Sequence, residues 1–195
     1  MKTEIFLDGE SLTPEDLYSC GSGDVEIKFS DETVEKIKKS RKVIDDIVES
    51  GKVVYGVNTG FGKFADVVIN KSDNVLLQKN LIRSHAAGTG EPLPKSLSRM
   101  ILALRINVLA KGYSGISLEN LEKMAAAFNS DCIPVVPCQG TVGASGDLAP
   151  LSHIALGLMG EGQMFCDDSG DICHSGTKIF RQFERTELFL ALKIF

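Results

Sequence analysis

The stretch Gly140-Thr141-Val142-Gly143-Ala144-Ser145-Gly146-Asp147-Leu148-Ala149-Pro150-Leu151-Ser152-His153 constrains the chain more than any other. Its glycines recur at 140, 143 and 146, and glycine adopts backbone angles that other residues resist. Asp147 is a good helix N-cap, and the apolar run from Leu148 to Met159 predicts a helix behind it. Ser145 is therefore expected in a tight turn at a helix N-terminus, where backbone N–H groups and the helix dipole favour negative charge. Generic glycine motifs do not fit. A nucleophile elbow needs Gly-x-Ser-x-Gly, and here the second glycine comes one position early. A dinucleotide loop needs a different first spacing, and Asp147 stands where a phosphate loop carries lysine. On the residues alone, a glycine-rich connector without chemistry stays open.

A second glycine-rich stretch covers residues 53–64, Val-Val-Tyr-Gly-Val-Asn-Thr-Gly-Phe-Gly-Lys-Phe. The phosphate-loop spacing fails again, because five residues separate Gly56 from Gly62 and Phe64 replaces the hydroxyl residue. By itself this is a surface loop with one buried tyrosine, Tyr55. A third stretch, Arg83-Ser84-His85-Ala86-Ala87-Gly88, ends a helix predicted over 72–87. On pattern alone His85 reads as a helix-end histidine satisfied by its own helix.

The remaining periodicities predict a mainly α fold with a few short N-terminal β-strands. Ile5-Phe6-Leu7 and the alternating Val25, Ile27 and Phe29 read as strands. Thr13-Pro14-Glu15 opens a short helix that should stop before Gly21, and Ser30 caps a long one reaching about Ser50. Val34, Ile37, Ile44, Ile47 and Val48 fall on one face of that long helix. After Pro94 a helix carries Leu97, Met100, Ile101, Leu104 and Val108 on one stripe, and Ser117 caps another to about Ser130. Ile133-Pro134-Val135-Val136-Pro137 is an extended approach to the glycine-rich turn.

Together, the Gly140–His153 stretch and the Tyr-Gly-Val-Asn-Thr-Gly-Phe-Gly pattern of residues 55–62 closely resemble the aromatic amino acid ammonia-lyases. The resemblance implies the N-terminal domain of that fold. It also implies that Ala144, Ser145 and Gly146 cyclise into 4-methylidene-imidazol-5-one (MIO), with no external cofactor and no metal. The Gly146 amide nitrogen would attack the Ala144 carbonyl carbon, and Ser145 would lose its hydroxyl as water. Small neighbours let the backbone fold onto itself, and serine supplies the leaving β-hydroxyl. Tyr55 is the implied catalytic base. A phenol serves as one only where its site stabilises the phenolate. Asp147 and Leu148 would hold the ring's loop. Ser84, His85 and Gly62 are the implied substrate-binding residues. The Ser84-His85 pair is similar to that of the members acting on histidine, so the implied reaction is L-histidine to trans-urocanate and ammonia. A polar pair can partner an imidazole nitrogen that an apolar pair would leave unpaired. Phenylalanine or tyrosine lyases and aminomutases are the alternatives within the family.

Composition narrows the partners. The chain has 195 residues, enough for one ordinary core, and a net charge of −5, which argues against nucleic-acid or anionic-membrane surfaces. No apolar run approaches membrane-spanning length, and Met1 to Glu10 mixes charged with apolar residues unlike a signal peptide. The five cysteines (Cys20, Cys132, Cys138, Cys166 and Cys173) form no tight pairs, which points to reduced thiols and a cytoplasmic protein. Cys166, Cys173 and His174 match no standard metal spacing. The resemblance covers residues 1–165, and residues 166–195 read as a divergent tail. The family's central helices and homotetramer contacts are expected to lie outside the chain. A short chain of this kind is expected to be inactive alone, or to be an inert or regulatory isoform.

Overall fold

A computed structural model describes residues 2–60, 69, 71–141, 146, 148–167 and 169–183, without the side chains of 71–75 and 180. Gly62, Ala144, Ser145 and Asp147 lie outside the described residues. The chain opens with a parallel β-α-β unit: β1 (Thr3–Phe6), α1 (Pro14–Ser22) and β2 (Val25–Lys28), with Thr3 opposite Val25 and Ile5 opposite Ile27. Parallel pairing requires a crossover, and α1 supplies it. Thr13 starts α1 as read from the sequence. Its hydroxyl accepts the Asp16 N–H at 3.1 Å, and the Asp16 carboxylate accepts the Thr13 N–H at 3.2 Å. The helix does not stop before Gly21 but runs through it to Ser22, ending at Gly23 with φ +93°. Gly21 is there for contact rather than termination, since a Cβ on it would sit 2.4 Å from Met100 Cε of the facing helix.

Helices α2 (Asp31–Ser50), α3 (Lys71–His85), α4 (Lys95–Ala110) and α5 (Leu118–Asn129) follow, with strand β3 (Thr89–Pro92) between α3 and α4. Ser30 and Ser117 cap α2 and α5 as expected, each accepting a backbone N–H three residues on. Helix α4 packs on α1 and α5. Its buried face is Leu102, Ala103, Ile106, Leu109 and Ala110, which meets Leu121, Met124 and Phe128 of α5 within one apolar core. The stripe read from the sequence is not that face: Leu97, Leu104 and Val108 are exposed. Apolar residues surround α4, so periodicity could not choose between faces, and packing did.

Arg99, only 3% exposed, crosses this core. Its Nη1 donates to Asp131 Oδ1 at 2.8 Å, its Nε donates to the Cys20 carbonyl at 3.0 Å, and its guanidinium lies 4.3 Å from the Phe128 ring centroid. Burial pushes the Cys20 and Cys132 thiols up to about 11, so both stay protonated at neutral pH.

Strands also occur beyond the N-terminal pair. Strand β4 (Pro137–Gln139) runs antiparallel to β3, with Thr89 opposite Gln139 and Pro92 opposite Pro137. Helix α6 (Leu148–Leu158) leads into the hairpin of β5 (Gln163–Phe165) and β6 (Ile172–His174), which straddles residue 165. Helix α7 (Ser175–Phe183) packs back on α6 through fully buried Ile179. Among the described residues no helix is long and apolar enough to cross a membrane.

Candidate active site

Three stretches supply the candidate site. The first is the turn that carries Tyr55. Val57 and Asn58 donate their N–H groups to the Val54 carbonyl at 3.1 and 3.3 Å. Asn58 locks the turn from both sides, because its Oδ1 accepts the Val54 N–H at 2.9 Å and its Nδ2 donates to the Lys52 carbonyl at 2.9 Å. Thr59 accepts the Gly56 N–H, and Gly56 takes the left-handed φ of +74° that a side chain would resist. Tyr55 is not the buried residue the sequence suggested. It is 62% exposed on this braced turn.

The second stretch is the C-terminal end of α3. The last carbonyls of a helix lack intrahelical donors. The Leu81 carbonyl is met by Ser84 Oγ at 2.9 Å and by His85 Nδ1 at 2.8 Å, while Ser84 Oγ and His85 Nδ1 lie 3.1 Å apart. A carbonyl only accepts, so His85 Nδ1 carries the proton and Nε2 is the ring's acceptor atom. His85 is thus a helix-end histidine as its pattern indicated, and that same bond fixes its ring orientation and tautomer.

The third stretch is the glycine-rich turn and α6. Gly146 has φ +101°, and nothing lies within 4 Å of the point where a Cβ would stand. Leu148, partly exposed, begins α6 as expected.

The second and third stretches meet. Gly88 donates its N–H to His153 Nε2 of α6 at 3.0 Å. A Cβ on Gly140 would lie 3.1 Å from both Gly88 Cα and Ala149 Cβ. Arg83, beside Ser84, forks onto Glu161 just past α6, with Nε to Oε2 and Nη2 to Oε1 both at 2.7 Å. That hydrogen-bonded fork holds the Glu161 carboxyl below its ordinary value, and burial pushes the His153 imidazole below its own. The Asn58 carbonyl of the Tyr55 turn accepts the Ile69 N–H at 2.9 Å. Sequence reasoning missed His153, Arg83, Glu161 and Asn58 as parts of this assembly. His153 stood inside the signature stretch, but its partner is 65 positions away. Among the described residues no group of three or more His, Cys, Asp or Glu is placed to hold a metal ion.

This architecture has clear counterparts. The sequence profile "Aromatic amino acid lyase" matches residues 12–193. The chain belongs to the aromatic amino acid lyase family. A histidine ammonia-lyase from Bos taurus is 60% identical over 166 residues, covering 85% of this chain and 25% of that protein. Among solved members of the lyase family, histidine ammonia-lyase from Trypanosoma cruzi superposes with a TM-score of 0.88 at 45% identity. That match covers 98% of this chain and 36% of the other. The ergothioneine-degrading enzyme ergothionase from Treponema denticola superposes with a TM-score of 0.85 at 32% identity, covering 92% of this chain and 35% of that one. The chain therefore spans about a quarter of the length of the first curated relative it matches.

Proposed function

We propose that this chain is the N-terminal, electrophile-bearing part of a histidine ammonia-lyase, which converts L-histidine to trans-urocanate and ammonia. The observation that carries the reading is the end of α3, where His85 holds a fixed tautomer beside the helix of the signature stretch. The similarity to histidine ammonia-lyases supports the same substrate.

The tripeptide Ala144-Ser145-Gly146 is the proposed source of MIO. The left-handed φ and open space at Gly146 suit a backbone that must fold onto itself. The group would supply an electrophile that makes the substrate's amine a leaving group. The chain's own residues do the rest. Tyr55 takes the proton from the β-carbon, the C–H electron pair becomes the new carbon–carbon double bond, and the C–N bond breaks to release ammonia. The braced turn 54–59 fixes where that phenol sits. His85, with Nε2 as acceptor, complements the N–H of a substrate imidazole, and Ser84 holds the ring by sharing the Leu81 carbonyl. Gly62 adds a substrate contact, and Asp147 and Leu148 hold the loop. The full-length protein is proposed to be a cytoplasmic homotetramer acting on a small molecule, with no nucleic-acid or membrane partner.

Incubating the full-length protein with L-histidine, L-tyrosine or ergothioneine and identifying products by mass spectrometry tests the reading. Loss of ammonia from histidine in preference is expected. Preference for tyrosine, or a re-aminated β-amino acid product, would replace it with a tyrosine lyase or an aminomutase. Ser145→Ala should abolish turnover while costing less than about 1 kcal/mol of stability, the usual range for a small loop side chain. Turnover near wild type in that variant would remove MIO from the mechanism. Residues 1–195 alone are proposed to be inactive, with the tripeptide uncyclised. Intact mass spectrometry decides this, because the cyclised form lacks two waters.

A further inference from the structure

His153 stands one helical turn after Ala149 on α6, so both side chains share one face. That face is where two glycines approach. Gly140, at the head of the signature stretch, comes so close that a Cβ on it would lie 3.1 Å from Ala149 Cβ and from Gly88 Cα. Gly88, three residues past His85, has the same constraint: a Cβ there would lie 3.0 Å from His153 Nε2 and 3.2 Å from the Gln139 carbonyl oxygen. Into this close fit Gly88 donates its N–H to His153 Nε2 at 3.0 Å. An imidazole nitrogen accepts only when it carries no proton, so the bond needs neutral His153 with its proton on Nδ1. Burial favours that neutral form. Arg83 and Glu161 close a second link between the same two segments, on the other side of Ser84-His85 in sequence.

We propose that His153 is a positioning residue: by accepting the Gly88 N–H it holds the Ser84-His85 segment in register with the helix that carries the Ala144-Ser145-Gly146 loop. Gly88, just past the substrate-reading segment, and Gly140, at the head of the signature stretch, are then both located against one face of α6, one turn apart. A bond of this kind fixes position rather than chemistry, so its loss should weaken substrate binding more than the chemical step. The functional half of this inference rests on the reading proposed above, and the tether itself does not.

The test has two arms and two variants. His153→Gln keeps a neutral acceptor near the Nε2 position, whereas His153→Leu keeps bulk without an acceptor. In the 195-residue chain, nitrogen NMR of labelled histidine should show the Nδ1–H tautomer at His153. Hydrogen exchange at the Gly88 amide should speed up about tenfold in His153→Leu, the factor one net hydrogen bond is worth, and stay slow in His153→Gln. In the full-length enzyme, KM for histidine should rise about tenfold in His153→Leu with kcat little changed, and His153→Gln should restore it. An Nε2–H tautomer, equal Gly88 exchange in all three proteins, or equal impairment of both variants would overturn the proposal. If the full-length protein turns over no histidine in any form, the proposed substrate falls, and the first arm still decides the tether. Should His153→Leu fail to fold, Gly88→Ala probes the same contact from the other side, and unchanged KM there would also overturn it.

Discussion

Around α4 and α5 the chain is held by apolar burial, whereas around α6 the site-bearing segments are held by directional polar links and close backbone contacts. In the first region Leu102, Ile106, Leu109, Leu121 and Phe128 are fully buried, and the buried Arg99 is met by Asp131, by the Cys20 carbonyl and by the Phe128 ring. In the second, apolar residues such as Ile154, Leu158 and Ile179 are buried too, but the ends of α3 and β4 are located by Gly88–His153, Arg83–Glu161 and the Gly140–Ala149 approach. Burial is non-directional and scales with area, so it stabilises a body without fixing any one atom. Hydrogen bonds and glycine contacts add little net stability each, yet they set distances to fractions of an ångström. The site proposed above, which would hold a base, a ring-reading histidine and an electrophile together, needs the second kind of link.

Truncating Phe128 should break the comparison most forcefully. Phe128→Ala leaves a cavity in the apolar region and strips the ring from beneath Arg99, and it should cost about 3–5 kcal/mol. A guanidinium-chloride titration of the chain would register it as a large fall in midpoint. A fall no larger than that of a surface substitution would mean that the α4–α5 packing does not carry the fold.

A double change at the end of α3 should instead leave stability largely intact and alter chemistry. His85→Leu with Ser84→Phe removes both side chains that meet the Leu81 carbonyl. In the full-length enzyme it should move preference from histidine toward phenylalanine by roughly 1–3 kcal/mol of discrimination, the cost of leaving the imidazole unpaired. Unchanged relative kcat/KM for the two amino acids would show that this pair does not select the substrate.

The smallest effect is expected from Glu161→Gln. It removes one charge from a half-exposed fork and should cost under about 1 kcal/mol. Its signature is pH dependence. Both His153 and Glu161 have folded values below their ordinary 6.5 and 4.5, so each contributes stability that is full above the ordinary value. That contribution fades as pH falls through the lowered one. The α3–α6 contact should therefore loosen in acid in two stages, the histidine's before the carboxylate's. In Glu161→Gln the later stage should disappear, as read by amide exchange along α3. A single stage common to both proteins would refute the assignment.

Local signals were legible in the sequence because their partners are near neighbours. Thr13, Ser30 and Ser117 cap their helices through N–H groups three residues away, and the glycines at 23 and 51 end theirs with left-handed backbones. The motif residues Tyr55, Ser84, His85 and Gly146 were nameable for the same reason, each standing in a short contiguous pattern. What the pattern could not say is how those residues stand. Tyr55 proved exposed on a braced turn, Gly21 proved a contact residue inside a helix, and α4 turned a different face inward from the stripe its periodicity suggested.

The sequence by itself determined the starts of α1, α2 and α5 and the mainly α character, because each depends on residues within a few positions of one another. Only the tertiary structure decided which face of α4 is core and that His153 meets Gly88 across 65 positions. It alone decided that Arg83 meets Glu161 across 78. Such contacts exist only after the chain has closed loops that no local preference encodes, and packing then selects among faces and partners that the sequence leaves equivalent.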